Sequence, residues 1–179
     1  MKGKPDTKNR LLDAAASIVA ESGAANLTID AVAATAGLSK GGVLYHFPSK
    51  KALLRGMLER LIDEFQHRPQ VLDDEGRPSL LRTHIESVLD RPDGEQATSL
   101  AVIANAAEDP SLLEPAQALL KERTQQIMAE AKDPTLALIT MLASEGIRFL
   151  DVINLQPLDG KTLREVGERL CRIAEEAGS

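Results

Sequence analysis

The chain has few of the residues that small proteins use for cross-links, aromatic packing or metal binding. It contains one cysteine, Cys171, so no internal disulfide can form, and this fits a reducing cytoplasm. Tryptophan is absent, and the aromatic residues are one Tyr and three Phe. His46, His67 and His84 lie far apart in the sequence, so no pair has the spacing of metal ligands on one helix face. We therefore expect no disulfide, no metal and no cofactor.

Long apolar runs are also missing. No stretch approaches the roughly 20 apolar residues that a membrane-spanning helix needs, and the chain does not open with a signal-peptide pattern. The acidic string Asp73-Asp74-Glu75 lacks the spaced oxygen ligands of a calcium loop and is more simply a solvated segment. The sequence thus favours a cytoplasmic protein that is not an enzyme and does not enter a membrane.

Charge is distributed unevenly along the chain. The formal net charge of −6, taken as a whole, argues against DNA binding. Residues 1–60, however, hold nine lysines and arginines against five aspartates and glutamates, a balance of +4 that leaves −10 for the remainder. A basic N-terminal third joined to an acidic body predicts a nucleic-acid-binding head carried by another module.

Helical spacing dominates the rest of the pattern, and no segment alternates like a strand over a useful length. The stretch 67–78 contains two prolines, a glycine and an acidic run, so it is the best candidate for a linker. Pro92-Asp93-Gly94 marks a further break. We predict an all-α fold in two parts, with helices over residues 9–22, 28–36, 39–46, 49–65, 79–90, 95–108, 112–131, 134–155 and 160–177.

The most informative segment is LSKGGVLYHFPSKKALL, residues 38–54. It follows a short amphipathic segment and the turn residue Gly37, which is the order of a helix-turn-helix whose second helix can enter a DNA major groove. Gly41 and Gly42 each cost a helix about 1 kcal/mol relative to alanine. Their presence in helix 39–46 indicates that the backbone approaches another molecule closely, although a plain turn is the alternative.

Polar side chains in the same segment are suited to DNA. Tyr45 and His46 carry donors for phosphates or base edges, although His46 could equally be a structural hydrogen-bonding residue. Lys50 stands at the start of the fourth helix, where free backbone amides and the helix dipole favour an anion. The apolar residues of this helix should pack it onto the two helices before it and are expected in the core: Val43, Leu44 and Phe47.

Together these residues resemble the DNA-binding domain of TetR-family transcriptional regulators. The resemblance covers residues 9–65, about a third of the chain. It rests on Thr28 at the cap of the second helix, on Ser39-Lys40-Gly41, on Tyr45-His46-Phe47 and on Ser49-Lys50.

Two positions depart from the family pattern. Many relatives place a second aromatic residue at the position of Leu44, and some carry a base-reading side chain at the position of Gly42. Direct base readout should therefore be sparse, with more weight on phosphates and DNA shape. The resemblance implies that the DNA-binding residues are Thr28, Ser39, Lys40, Gly41, Gly42, Tyr45, His46 and Lys50.

For the body, the resemblance implies a homodimer and an effector pocket. It divides the chain into a DNA-binding head (1–48), a connecting helix (49–66) and a ligand-binding and dimerisation domain (67–179). Helix 134–155 supports dimerisation independently, since it is apolar nearly all round and should be buried on every face. The last helix adds an apolar stripe, although both helices could instead bury in the monomer's own core. The string 142–147, with Asp151, also resembles a TetR subgroup that includes drug-responsive repressors.

An effector pocket should lie between helices 95–108, 112–131 and 134–155, as sites in helical bundles do. With so few aromatic residues, an aromatic cage for a cation is not expected, which favours a small or flexible apolar effector. Each candidate lining residue could instead belong to the core or to a solvated face: Ile103, Asn105, Arg123, Ile127, Met128, Met141, Glu145 and Phe149.

The sequence therefore predicts a dimeric, ligand-responsive transcriptional regulator. We expect a repressor that a small-molecule effector releases from a palindromic double-stranded DNA operator. The alternative is a helical ligand- or protein-binding module that does not bind DNA specifically.

Overall fold

A computed structural model describes residues 6–73, 75–90 and 94–178. Within them the regular structure is helical, apart from an isolated bridge between Leu72 and Pro78. The described α-helices, in chain order, are α1 (Thr7–Ser22), α2 (Ile29–Ala36), α3 (Lys40–His46), α4 (Lys50–Gln66), α5 (Leu80–Leu89), α6 (Glu95–Ala106), α7 (Glu114–Glu130), α8 (Pro134–Val152) and α9 (Gly160–Gly178). Short 3-10 helices occupy Ala24–Asn26 and Pro110–Leu113.

The all-α prediction is confirmed, and each predicted helix is present with ends that differ by a few residues. The caps explain this agreement, because the hydroxyl oxygens of Thr28, Ser39 and Ser49 accept the backbone hydrogen bonds that start α2, α3 and α4. The predicted break at Pro92-Asp93-Gly94 falls largely outside the described residues. Gly94, which is described, has φ +86° and directly precedes α6.

The described chain forms two compact units. The head unit comprises residues 6–63 and 94–116, and the body unit comprises residues 64–73, 75–90 and 117–178. The head unit therefore contains α6 as well as α1–α3 and most of α4, although α6 follows α5 in the sequence.

One apolar cluster holds the head unit together, and α1, α2, α3, α4 and α6 all contribute to it. Gly37 makes the tight turn between α2 and α3 at φ +65°, where a side chain would be strained. The N–H of Leu38 donates to the carbonyl of Ala33 at 2.9 Å across this turn, and Arg10 Nη2 donates to the carbonyl of Ala36 at 2.9 Å. These bonds fix the end of α2 and hence the direction in which α3 begins.

A second cluster forms the core of the body unit, with contributions from α5, α7, α8 and α9. The last helix turns Leu170, Ala174 and Ala177 into this core. Within the single chain, α8 is buried on one side only, so the burial on every face that the sequence predicts would need a partner chain. Ala137 and Met141 of α8 are fully buried, but a stripe on the opposite side is 53% to 60% exposed, namely Ile139, Leu142 and Phe149.

The stretch predicted as a linker, residues 67–78, is an ordered loop where it is described. The N–H of Val71 donates to Thr83 Oγ1 at 2.8 Å, which ties the loop to α5. The Asp73 carboxylate accepts from the backbone N–H of Arg77 at 2.7 Å and pairs with its guanidinium at 2.9 Å. These local bonds replace the core contacts that a loop of this composition cannot make.

Gly56 on α4 gives space to the ring of Phe47, which is 3% exposed. A Cβ at position 56 would lie 2.7 Å from Phe47 Cε1 and 3.4 Å from Leu12 Cδ2. We expect Gly56→Ala to lower the free energy of unfolding by about 1–3 kcal/mol, as overpacked cores do, measured by urea denaturation.

Gly41→Ala is the matched control, because its Cβ would meet only Ser39 Oγ, at 4.0 Å. This substitution should raise the free energy of unfolding by up to about 1 kcal/mol through helix propensity. A Gly56→Ala protein as stable as the wild type would show that the Phe47 ring moves aside without cost.

Candidate functional site

The short helix α3 has one buried face and one open face. Val43 is fully buried and Phe47 is 3% exposed, which confirms their prediction as core residues. The prediction for Leu44 is wrong, because this residue lies on the open face and is 37% exposed. Lys40, one helical turn earlier, is exposed as well.

Tyr45 is the most prominent side chain of this open face, 85% exposed. Its ring meets that of His46 edge-on, with the centroids 5.1 Å apart. The exposed phenol of Tyr45 and the neighbouring imidazole of His46 can form hydrogen bonds with a molecule that binds to α3.

The hydroxyls and lysines predicted to bind DNA have defined partners within the head unit. Thr28 Oγ1 accepts from Ala31 N, and Ser39 Oγ accepts from Gly42 N, both at 3.1 Å, so each oxygen caps a helix and keeps its own proton to donate. Lys40 Nζ lies 3.0 Å from the Asp30 carboxylate, but both side chains are well exposed and such pairs are weak.

Lys50 and Lys51 are adjacent in sequence but differ in their surroundings. Lys50 Nζ donates to the carbonyl of Ala24 at 3.3 Å, which ties the start of α4 to the Ala24–Asn26 turn. Lys51 Nζ pairs with the Asp109 carboxylate at 2.6 Å, and this pairing holds the pKa of Asp109 below its ordinary value. No local sequence signal indicates either contact, because the partners are distant along the chain.

The fold itself does not require glycine at positions 41 and 42. Both glycines have φ outside the left-handed region. A Cβ on Gly42 would come no closer than 3.4 Å to a described atom, Ser39 Oγ, and one on Gly41 would have more room still. The helix therefore has two weak helix formers on or beside its open face without an internal packing reason.

The residues predicted to line an effector pocket lie in different surroundings. Ile103 and Asn105 are on α6 in the head unit, and the Asn105 amide donates to the carbonyl of Ala101 at 2.8 Å. In the body unit, Ile127 and Met141 are core residues, 2% and 0% exposed. Two others are substantially exposed, Met128 at 39% and Phe149 at 53%.

Arg123 lines a body-unit pocket of about 340 Å³ between the end of α4, the loop after it, α5 and α7, which we call the body pocket. Sequence analysis missed its other described lining residues because a lone histidine or a polar helix face carries no ligand signal. These residues are Phe65, Gln66, Arg68, Gln70, Leu80, Thr83, His84, Ser87, Gln126 and Glu130.

Glu145 takes part in a charged cluster beside this pocket. Its Oε1 lies 3.2 Å from Nε2 of His84, and its Oε2 lies 2.8 Å from Nη2 of Arg148. Burial alone would raise the pKa of Glu145, but His84 and Arg148 together outweigh it, so the pKa lies below its ordinary value. The carboxylate is therefore held in its charged form inside the body unit.

Among the described residues, no group of three or more His, Cys, Asp or Glu side chains is placed to hold a metal ion. None of the described helices has the length and apolar character needed to cross a membrane.

Two protein-family models match the chain. Residues 11–57 match "Bacterial regulatory proteins, tetR family", and residues 78–175, more than half of the chain, match "Tetracyclin repressor-like, C-terminal domain". The chain belongs to the TetR family of transcriptional regulators. No curated protein sequence matches it.

Solved structures share the TetR fold over almost the whole chain. A transcriptional regulator from Rhodococcus sp. Rha1 is 20% identical, with a TM-score of 0.75, and the match covers 97% of this chain and 99% of that one. A TetR-family member from Streptomyces coelicolor A3 is 26% identical, with a TM-score of 0.69 and coverage of 93% and 98%. The multidrug binding protein EbrR, complexed with ethidium, is also 26% identical, with a TM-score of 0.65 and coverage of 93% and 99%.

The lowered pKa of Glu145 makes the stability of this TetR-family protein depend on pH. A carboxyl group with a depressed folded-state pKa stabilises the fold above its ordinary pKa of 4.5, and this contribution is lost as the pH falls through the folded-state value. We expect the free energy of unfolding of the wild type to exceed that of Glu145→Gln at neutral pH. The difference should shrink below about pH 4.5 in urea titrations.

Glu130→Gln is the matched control. Burial raises the pKa of Glu130, although Arg123 opposes this, so its charged form weakens the folded state at neutral pH. At neutral pH the free energy of unfolding of Glu130→Gln should therefore exceed that of the wild type, the opposite of the result expected for Glu145→Gln. Equal pH profiles for the wild type and Glu145→Gln would contradict the role given to the His84–Glu145–Arg148 cluster.

Proposed function

We propose that this TetR-family regulator is a homodimeric repressor that binds a palindromic double-stranded DNA operator and is released by a small-molecule effector. The observation that carries the DNA-binding part is the open face of α3, which holds Gly41 and the exposed Tyr45. The protein acts in the cytoplasm without catalysing a reaction.

The open face of α3 suits close backbone approach better than dense base readout. Lys40, Gly41, Leu44 and Tyr45 are its exposed residues, and only two of them end in polar groups. Phosphate contacts and DNA shape should therefore supply much of the affinity. In the complex, phosphates or base edges would be bound by Thr28, Ser39, Lys40, Tyr45, His46 and Lys50, with the backbone of Gly41 and Gly42 close to the DNA.

The exposed stripe of α8 is the proposed dimer contact. Ile139, Leu142 and Phe149 recur at helical spacing, and Gly146, on the same face, leaves open space above the backbone. Because the apolar residues of α9 largely face the core of their own unit, α8 would contribute most of the apolar area. A two-fold axis through this stripe would pair each residue with the partner's equivalent surface.

Effector release follows from differential affinity. A dimer would present its two α3 helices to half-sites about one helical turn apart, roughly 34–36 Å. An effector that binds more tightly to a dimer with a different spacing shifts the population away from the operator-bound form. The structural likeness to EbrR, whose structure holds ethidium, supports a small molecule as the effector.

The test of DNA binding is fluorescence anisotropy on a labelled fragment of the gene's own upstream region, with a scrambled duplex as competitor. We expect nanomolar binding with at least about a 1,000-fold preference over the scrambled duplex at physiological salt. Gly41→Ala should bind more weakly by about tenfold or more, because its methyl group holds the helix away from the DNA backbone, while its stability rises.

Equal micromolar binding to both duplexes, followed by failure to select any sequence from a random DNA pool, would overturn the proposal. The chain would then act as a helical binding module that does not recognise specific DNA. Unchanged operator affinity in Gly41→Ala would contradict the close approach of the α3 backbone to DNA, but it would not contradict specific DNA binding.

The proposed interface predicts that Leu142→Glu converts the dimer to a monomer. A carboxylate in an apolar two-fold interface is desolvated beside its own symmetry mate, which costs several kcal/mol. Sedimentation velocity measures the change, and operator affinity should fall with it.

Leu120→Glu is the matched control, since Leu120 is a 41% exposed leucine on α7 of the same unit. It should remain dimeric. A wild-type protein that sediments as a monomer, or a Leu142→Glu protein that stays dimeric, would exclude the α8 stripe as the interface.

A further inference from the structure

The body pocket contains buried polar atoms that no described group satisfies. Nδ1 and Nε2 of His84 and Nε of Arg123 are inaccessible to solvent and have no hydrogen-bond partner. Buried polar atoms left in this state cost free energy, so native proteins satisfy nearly all of them. Both side chains line the same pocket, so their unpaired nitrogens lie close to one small volume.

Arg123 is a cation of this pocket that lacks an ion pair. Its guanidinium lies over the ring of Phe65, 5.4 Å from the centroid. It forms no ion pair with any residue that the structure describes, and the neighbouring Glu130 keeps a raised pKa because burial outweighs its attraction to Arg123. The aromatic ring attracts the positive charge but offers no acceptor oxygen, so the N–H donors of the guanidinium remain suited to a carboxylate.

His84 is the other unsatisfied group, and only 2% of it is exposed. Nε2 lies 3.2 Å from a Glu145 oxygen, but without the alignment of a hydrogen bond, and the ring meets Phe65 edge-on at 6.0 Å. Nδ1 has no such neighbour and is available to a ligand group. A ring nitrogen and a guanidinium that both neighbour the Phe65 ring make a compact recognition set.

The hydroxyls of the same pocket are already committed. Thr83 Oγ1 accepts from Val71 N at 2.8 Å and donates to the carbonyl of Ser79 at 2.7 Å. Ser87 Oγ donates to the carbonyl of His84 at 2.6 Å. Their hydrogen bonds hold the loop and α5 in place, and the buried side-chain nitrogens of the described residues that lack a hydrogen-bond partner belong to His84 and Arg123.

We infer that the body pocket binds a small organic anion whose carboxylate pairs with Arg123, whose polar substituent meets His84 and whose flat apolar part lies against Phe65. This inference rests on the proposed function, in which such an anion is the effector. The volume of about 340 Å³ is at the lower end of the range for small-molecule sites. The lining holds two guanidinium groups, Arg68 and Arg123, against one carboxyl group, Glu130, so a ligand cation is disfavoured. An entirely apolar ligand would leave the three buried nitrogens unsatisfied.

The lining of the body pocket favours an anionic effector, whereas the sequence favours an apolar one. A scarcity of aromatic residues suggested an apolar ligand, but the pocket that the structure describes is lined mainly by polar side chains. One aromatic ring is sufficient here, because it serves as a platform for Arg123 rather than as the wall of a cage.

The test uses the full chain and three probes of nearly identical shape: benzoate, benzamide and benzylamine. Binding is followed by NMR through the Nε–H resonance of Arg123 and the ring resonances of His84. We expect benzoate to shift both sets of signals at concentrations at least about tenfold lower than benzamide, because a charge-assisted hydrogen bond exceeds a neutral one by this factor or more. Benzylamine should leave both unchanged. This contrast needs no variant protein.

Arg123→Met then assigns the site, with Arg172→Met, an exposed arginine of α9, as the matched control. Benzoate affinity, followed through His84, should fall at least about tenfold in Arg123→Met and stay at the wild-type value in Arg172→Met. Unchanged affinity in Arg123→Met would overturn the inference, as would tighter binding of benzylamine than of benzoate, or no binding of any probe at about 20 mM.

Operator binding without probes separates the two proposals. A protein that binds its operator but none of the anions would overturn this inference and leave the repressor proposal standing. A protein that binds benzoate through Arg123 but recognises no DNA sequence would overturn the repressor proposal and leave the anion site standing.

Discussion

The burial of Phe47 against Gly56 is the contact on which the orientation of α3, the proposed DNA-binding helix, depends. Phe47 ends α3, and its ring fills the space that a side chain at position 56 on α4 would occupy. With Val43, it fixes which face of α3 is buried. Gly41 and Tyr45 lie roughly half a helical turn away from the buried pair and are exposed, and the exposed Lys40 and Leu44 lie between the two sides. This core contact thus determines which side of α3 stays open.

The same helix shows a conflict between stability and function. Two adjacent glycines weaken a helix of seven residues, and no described contact of the head unit requires them. Local rules are broken at this position without an internal compensation, which is typical of a functional site in an otherwise consistent sequence. The hydroxyl caps of Thr28 and Ser39 and the turn at Gly37 offset part of the loss by fixing the start of both helices and the turn between them.

The sequence predicted the helices well because their signals are local. N-cap hydroxyls, helical periodicity and turn glycines act within a few residues, so they predict the described α-helices without any knowledge of tertiary contacts. Local signals do not predict tertiary packing. Val43 and Leu44 are apolar neighbours in the sequence, and the side of α3 that packs against the core decides that Val43 is buried and Leu44 is not. The exposed stripe of α8 likewise depends on which helices pack against it. The body pocket joins residues from α4, α5 and α7 that share no sequence pattern, so only the fold brings Arg123, Phe65 and His84 together.

Glu145 and Arg123, two charged residues of the body unit, differ in whether a side chain of opposite charge pairs with them. Glu145 has both His84 and Arg148 as neighbours, and its lowered pKa shows that they overcome the cost of its burial. Arg123 has an aromatic ring beside it but no ion pair with a described carboxylate, and its attraction to Glu130 is too weak to offset the burial that raises the pKa of Glu130. A core optimised for stability alone would replace such a cation with an apolar side chain of similar volume. Retaining it leaves the unliganded body unit less stable than it could be, and a bound anion would recover that free energy by binding to the folded state.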